Sequence, residues 1–404
     1  MPYLPLSRKT LSSPERAFHA TPVTGLAAVA ALLACFAGSL SAQAPQAPAD
    51  LKINIGNLAS IDYPTRMNAA RAVRRVDAVV AVPALRDAVA NHTDQFIRYR
   101  AFVLLSSFSD RDTGDLVRTL LKDRNDRLRE ASYKWLEEHP DPGMAATLLA
   151  ALQTEQAEFV RPALVGALAA LGDNPQVQKA LVAETTRGVD FFRGAVIDSL
   201  GRHKGAYAAD SVASVAVLDG PLQDDAILAL GRMGGARART VLTGFKSAPA
   251  ALNLTIRAAQ CLAGAPCQET IAFLVEVSTA ANAPSATLRA AGQAFAALVA
   301  NGDAAATAAL VGLGARGGAV REQAALGFAA AAVRNPTHVI NWLAAAPEPS
   351  RNTAIDLLKE GFEDLEEDFG KEQFYAVTRA SYWKVPEGSS GRTLAAALIQ
   401  RLDF

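Results

Sequence analysis

The side chains able to hold a metal, move a proton or attack a carbon are few in this chain, and they are scattered. The five histidines, His19, His92, His139, His203 and His338, stand far apart. No two share the short spacing with which one helix or turn offers a pair of imidazoles to zinc. Glu137 and Glu138 are adjacent carboxylates, but neighbours in a helix point to different sides and do not converge on one substrate. Both are expected to be solvated. The chain has no G-x-S-x-G turn, no phosphate-cradling glycine loop and no C-x-x-C pair. No catalytic residue, metal site or cofactor is expected, and the chain reads as a non-enzyme.

The three cysteines speak of compartment. Arg8, Lys9 and Arg16 precede an apolar run from Thr24 to Leu40, and Ser41-Ala42-Gln43-Ala44 follows it. A charged segment, an apolar segment and small residues in that order are the layout of a secretory signal. Residues 1–44 are therefore expected to be a signal peptide, or an N-terminal anchor if the segment is retained. Cys35 lies in Leu32-Leu33-Ala34-Cys35, a loose match to a bacterial lipobox, so Cys35 is a candidate for lipidation; the alternative is loss with the signal. Cys261 and Cys267, six residues apart, are candidates for a disulfide, which an oxidising compartment would favour. Two buried thiols are the alternative. The expected location is the periplasm or cell envelope of a bacterium.

These residues must be held by helices. The chain has 404 residues, 50% hydrophobic and only 6% aromatic. Alanine carries much of the apolar share, and alanine favours helix where β-branched and aromatic residues favour strand. No stretch alternates apolar and polar residues between hairpin turns. Forty basic side chains balance forty acidic ones. A nucleic-acid binder carries a basic excess or stripe, so nucleic acid is excluded as a partner class. Removing residues 1–44 takes three basic side chains and one acidic one, leaving about −2.

One mark recurs: an arginine, often after an apolar residue, with a leucine- and alanine-rich stretch behind it. It falls at Arg98, Arg129, Arg161, Arg193, Arg257, Arg289 and Arg321, at spacings of 31, 32, 32, 64, 32 and 32. The long gap holds a degenerate copy, Gln223-Asp224-Asp225-Ala226. Stepping 32 residues back reaches Arg66, and 30 forward reaches Arg351. About ten units result, each with two short helical patterns. In the unit from Arg193, Ala195, Val196, Ser199 and Leu200 share a face, Gly201 to Gly205 breaks the helix, and a second apolar stretch runs from Tyr207 to Val217. One such unit buries too little apolar surface to stand alone, so units must stack.

The apolar-Arg-x-x-Ala-x-x-x-Leu stretch with its Gly/Asp/Pro turn resembles the HEAT repeat, and more closely the short bacterial form called HEAT-like or PBS-lyase-type, within the armadillo-like helical class. The resemblance covers roughly residues 60–355. It implies an all-α fold, a right-handed α-α superhelical solenoid of about ten HEAT-like helix pairs. It also places each arginine near the start of a second helix, paired with an aspartate of the preceding turn. Here that turn is eroded: Asp94 and Asp126 remain, while Gln156 and Asn282 stand in similar places. Arg66, Arg98, Arg129, Arg161, Arg193, Arg257, Arg289 and Arg321 are expected to be structural anchors that tie turns together. HEAT hydroxylases that bind iron are built on His-Glu pairs, which this chain lacks. Bilin lyases of this repeat type fit poorly with export and with the lack of a reactive cysteine setting, and HEAT-like glycosylases need a basic groove.

Residues 45–50 are expected to be a Pro/Ala-rich linker, 51–355 the solenoid and 356–404 a C-terminal helical cap. In the cap, the acidic run Glu360, Glu363, Asp364, Glu366, Glu367 and Asp368 is expected to be a solvated face. The aromatics Phe369, Phe374, Tyr375, Tyr382 and Trp383 would cover the end of the stack. The function expected of the whole is a non-catalytic scaffold that binds a protein or peptide on its concave face, touching a membrane only through the N-terminal anchor or lipid. The alternative is a lyase- or hydrolase-type enzyme, or an accessory subunit of one, with its site in the groove. A groove lined by convergent polar residues would favour that alternative.

Overall fold

The computed structural model of the protein describes residues 49–404 apart from Ser109, Ser247 and Glu366. The expected signal peptide, Cys35 and residues 45–48 of the expected linker lie outside the described residues. Among those described there are helices and turns and no strand.

The helices come in ten pairs. The first helices are α1 (Ala49–Asn57), α3 (Ala78–Asn91), α5 (Thr113–Leu120), α7 (Ala145–Thr154), α9 (Pro175–Glu184), α11 (Ala209–Ala216), α13 (Gly235–Gly244), α15 (Gln268–Ser278), α17 (Ala304–Gly314) and α19 (Pro336–Ala345). The second helices are α2 (Tyr63–Arg74), α4 (Gln95–Ser106), α6 (Asp126–Glu138), α8 (Arg161–Ala169), α10 (Asp190–Arg202), α12 (Gln223–Met233), α14 (Ala250–Leu262), α16 (Ser285–Ala300), α18 (Gly318–Arg334) and α20 (Glu348–Asp364). Each second helix packs on the next, from α2 through to α20. They form the inner row. Helices α21 (Asp368–Lys384) and α22 (Ser390–Arg401) follow. Two boundaries differ from expectation. Ala49 and Asp50 already belong to α1, and α20 runs through position 355, so the array ends at Asp364.

Short polar side chains start many of these helices by accepting the free N–H groups of the first turn. Asp62 accepts from Thr65 N at 2.9 Å, Asp94 from Phe96 N at 2.8 Å and Asn174 from Gln176 N at 2.9 Å. Asp94 is thus an N-cap rather than the partner of Arg98. Gly201, where the helix break was expected to begin, acts differently, and Gly231 acts in the same way. Gly201 and Gly231 sit inside α10 and α12, where a Cβ would strike Ala229 and Ala259 of the next inner helix. Their lack of a side chain sets how closely the inner row is wound. The break after α12 is made by Gly234 and Gly235, at φ +66° and +80°, a region open to glycine.

The tight winding brings the end of the array back to its beginning. Helix α21 packs on α18 and α19 and also on α4. Phe369 of α21 is buried in the same apolar core as Leu51, Phe102 and Leu128 of the first pairs. Arg74 of α2 and Glu372 of α21 form a two-point ion pair, Nη2 to Oε2 at 2.6 Å and Nε to Oε2 at 2.9 Å, with Glu372 1% exposed. Gln373 donates to Ser106 at 2.9 Å and Arg379 to Ser107 at 2.7 Å. The cap therefore covers both ends of the stack at once. Its acidic run is not simply solvated. Glu360 takes Arg321, and Glu367 takes Lys134 at 2.7 Å while capping α21 through Gly370 N. Phe374 and Tyr375 are buried, while Trp383 is exposed.

Candidate functional site

The inner row surrounds an axial cavity of about 700 Å³. Its wall is built from the last turns of α6, α10, α12, α16 and α18 and from Pro162 and Ala163 in the first turn of α8, closed on one side by Glu367, Phe369 and Gly370 of the cap. Polar side chains converge there, the feature that would favour the enzyme alternative.

Asp198 of α10 is the hub. Arg232 approaches it at 2.7 Å, Arg202 at 3.0 Å and Arg334 at 3.6 Å. The last contact spans from the ninth pair to the fifth. Burial alone would push the Asp198 carboxyl up, but Arg334, Arg202 and Arg232 outweigh it and hold it well below the usual carboxylate range. Glu137 of α6 accepts from Arg202 and meets His203 Nε2 at 2.9 Å. It fills the space that the missing Cβ of Gly166 leaves. Burial works against the Glu137 anion, yet His203 and Arg202 keep its pKa low. Glu138 differs. It is exposed at the cavity wall, yet desolvation by the surrounding protein, with Glu137 and Glu367 nearby, pushes it up to about 8. Both glutamates line the cavity; Glu138 is exposed there, as expected of a solvated residue, whereas Glu137 is half-buried.

The remaining histidines do not converge. His139 stacks on Trp135 with ring centres 4.2 Å apart, and His338 bonds Thr307 at 3.0 Å. Cys261 and Cys267 are bonded to each other, with Cα atoms 5.1 Å apart. Asp303 lies near them, but bonded sulfurs are not thiolate ligands.

The repeat arginines act mainly on the ends of the first helices. Arg98 Nε donates to Val89 O at 2.7 Å, Arg193 Nε to Thr185 O at 3.1 Å, Arg321 Nη1 to Gly314 O at 2.5 Å and Arg66 Nη1 to Ser60 O at 2.8 Å. Arg351 donates to Leu343 O at 2.9 Å. A cation at a helix C-terminus satisfies the unpaired carbonyls there. Three arginines also reach the next unit, Arg98 to Asp123, Arg129 to Glu155 and Arg321 to Glu360. Arg161 and Arg257 instead lie over the rings of Phe192 and Phe273, at 4.0 and 4.3 Å. Arg289 is exposed and has no hydrogen-bond or ion-pair partner among the described residues.

Ten stacked pairs, with an arginine at matching register in nearly every inner helix, decide the architecture. The fold is a HEAT-like helical solenoid. No family model matches the chain, and neither does any curated protein. Among solved structures it is similar to the complex of CpcE and CpcF of phycocyanin lyase from Nostoc sp. PCC7120, at 20% identity over 54% of this chain and 88% of that one, with a TM-score of 0.36. Human deoxyhypusine hydroxylase in complex with glycerol shows 16% identity over 62% and 95%, with a TM-score of 0.28. Importin beta shows 14% over 87% and 61%, with a TM-score of 0.37. Likeness at this level says nothing of what the solenoid binds.

A second surface feature went unread in the sequence. Tyr63, Phe96, Phe159 and Phe191 stand at the starts of α2, α4, α8 and α10, and they are 59%, 66%, 42% and 59% exposed. Their spacing follows the repeat. At the missing step stands Arg127, whose guanidinium lies 5.1 Å from the centre of the Phe159 ring. Val189 and Ile61, also exposed, flank the row. Inner helices stacked at about 9–10 Å make this an aromatic line about 40 Å long on the turn edge of the first five pairs. Its signal was present, an aromatic two or three residues before most of the early repeat arginines, but helix-face periodicity does not register residues at helix starts.

Proposed function

We propose that the chain is a non-catalytic interaction scaffold of the bacterial cell envelope, and that it takes a protein partner along the aromatic edge. The row of Tyr63, Phe96, Phe159 and Phe191 carries this reading. The four rings remain largely exposed, and Tyr, Phe and Arg are the residues that protein interfaces favour. The concave face is the weaker candidate for that role. The cap occupies part of it, and the 700 Å³ that remains suits a small molecule rather than a folded partner. Export is supported by the charged, apolar and small-residue order of residues 8–44 and by the Cys261–Cys267 bond, which suits an oxidising compartment.

The second reading, an enzyme or enzyme accessory of lyase or hydrolase type, is favoured by one observation. Glu138, with its raised pKa, lies in a cavity with the Glu137–His203 pair, and a carboxyl near neutrality can give or take a proton. In-cell photo-crosslinking from position 96, compared between the native chain and Phe159→Ser/Phe191→Ser, tests the scaffold. One discrete crosslinked product in envelope fractions, lost in the double variant at unchanged melting temperature, is expected. Loss of cellular function in Glu138→Gln, with no crosslink from the row, would instead favour the enzyme.

A further inference from the structure

The seam where α2 and α4 meet α20 and α21 holds another cavity, about 460 Å³ in volume. Six cations face it, Arg66, Arg71, Arg74, Arg100, Lys359 and Lys371, against four carboxylates, Glu363, Asp368, Glu372 and Asp403, an excess of two positive charges. Two of the carboxylates are engaged, Glu372 by Arg74 and Asp403 by Arg71 at 2.7 Å. Arg100 is half-buried and has no hydrogen-bond or ion-pair partner among the described residues; burial pulls its pKa down, with Asp368 opposing. Three guanidinium nitrogens of the α2 arginines are buried without an acceptor, Arg66 Nε, Arg71 Nε and Arg74 Nη1. The Arg74 side chain is only 7% exposed. These nitrogens are sealed from the cavity, so the donors open to it are those of Arg100 and Lys359. Water alone would leave the charge excess unmet. Tyr63, Tyr99 and Tyr375 form the apolar wall.

We propose that the seam cavity binds a small organic phosphate monoester. Its terminal oxygens take Arg100 and Lys359, and its organic part lies among the three tyrosines. A phosphate monoester carries about −1.5 to −2 at neutral pH, which matches the charge excess; a carboxylate offers one charge. The cations come from α2 and α4 on one side and from α20 and α21 on the other, so the ligand holds the two ends of the array together. Binding only to the closed form raises its stability by mass action.

Calorimetric titration of the full chain with phenyl phosphate, inorganic phosphate and benzoate tests this. One site for phenyl phosphate is expected, with at least tenfold weaker binding of the other two and a matching rise in melting temperature. In Arg100→Gln, phenyl phosphate affinity should fall at least tenfold while the ligand-free melting temperature holds or rises, because an unpaired desolvated charge is removed. A residue with a merely structural role would lower it. Lys359→Gln, exposed on the opposite wall, is the second variant and should also weaken binding. No heat with phenyl phosphate, undiminished affinity in both variants, or equal binding of benzoate overturns the proposal.

Discussion

At the scale of single residues, the axial cavity holds carboxylates with opposite tendencies. Asp198 and Glu137 are held as anions by arginines and a histidine, whereas Glu138 is pushed up to about 8 by burial and by Glu137 and Glu367. For Glu138 the folded chain keeps a proton that the unfolded chain has already lost, from its ordinary value near 4.5 up to about 8. Stability from this group is therefore greatest below the lower value and falls as pH rises through that window. Glu138→Gln should leave urea denaturation unchanged near pH 4 and stabilise the protein near pH 9. The gain should be on the order of 1 kcal/mol, since cavity water screens much of the effect. A flat difference across pH would contradict the assignment. None of this was legible beforehand. Glu137-Glu138 reads in sequence as an ordinary surface pair, and only the winding of the inner row turns that helix end toward Asp198 and Arg202.

At the scale of elements, the repeat was legible because each unit carries its own local marks. Arginines about 32 residues apart, leucine and alanine periodicity, and Asp or Asn at helix starts are all short-range signals, and they located the pairs. Even the degenerate unit at Gln223-Asp224-Asp225 forms a full helix, because its neighbours supply the packing its arginine would have reinforced. What local pattern hid was the purpose of the glycines. Gly231 lies where a Cβ would meet the Ala259 backbone at 2.6 Å, while a Cβ on Gly312 of α17 would meet nothing within 4 Å. Gly231→Ala should cost about 1–3 kcal/mol through overpacking. Gly312→Ala should gain about 0.5–1 kcal/mol by helix propensity alone. Thermal melts of the two variants, moving in opposite directions, check the distinction.

At the scale of the whole molecule, the return of the cap to the first pairs changes what kind of solenoid this is. An open array gains stability from nearest neighbours only. Here Arg74 and Glu372 join residues 298 apart in sequence, and no local pattern flags either one. Arg74→Met would strand a carboxylate that is 1% exposed. Arg379, 3.6 Å away, compensates in part, so a loss of about 3 kcal/mol is expected. Arg74→Met/Glu372→Met should recover most of it. Hydrogen exchange should show α2 and α21 losing protection together in the single variant; loss confined to one of them would argue against coupled ends.

The same return imposes a schedule on biosynthesis. At about 5–20 residues per second, the surface of α4 that receives Gln373 and Arg379 is made roughly 13–54 s before those residues exist. During that interval Ser106, Ser107 and the rest of that flank have no mate, and a chain released early would never acquire one. Prematurely terminated copies should consequently be sticky fragments rather than shorter working versions, and a holding chaperone would have its task at the leading edge of the emerging polypeptide.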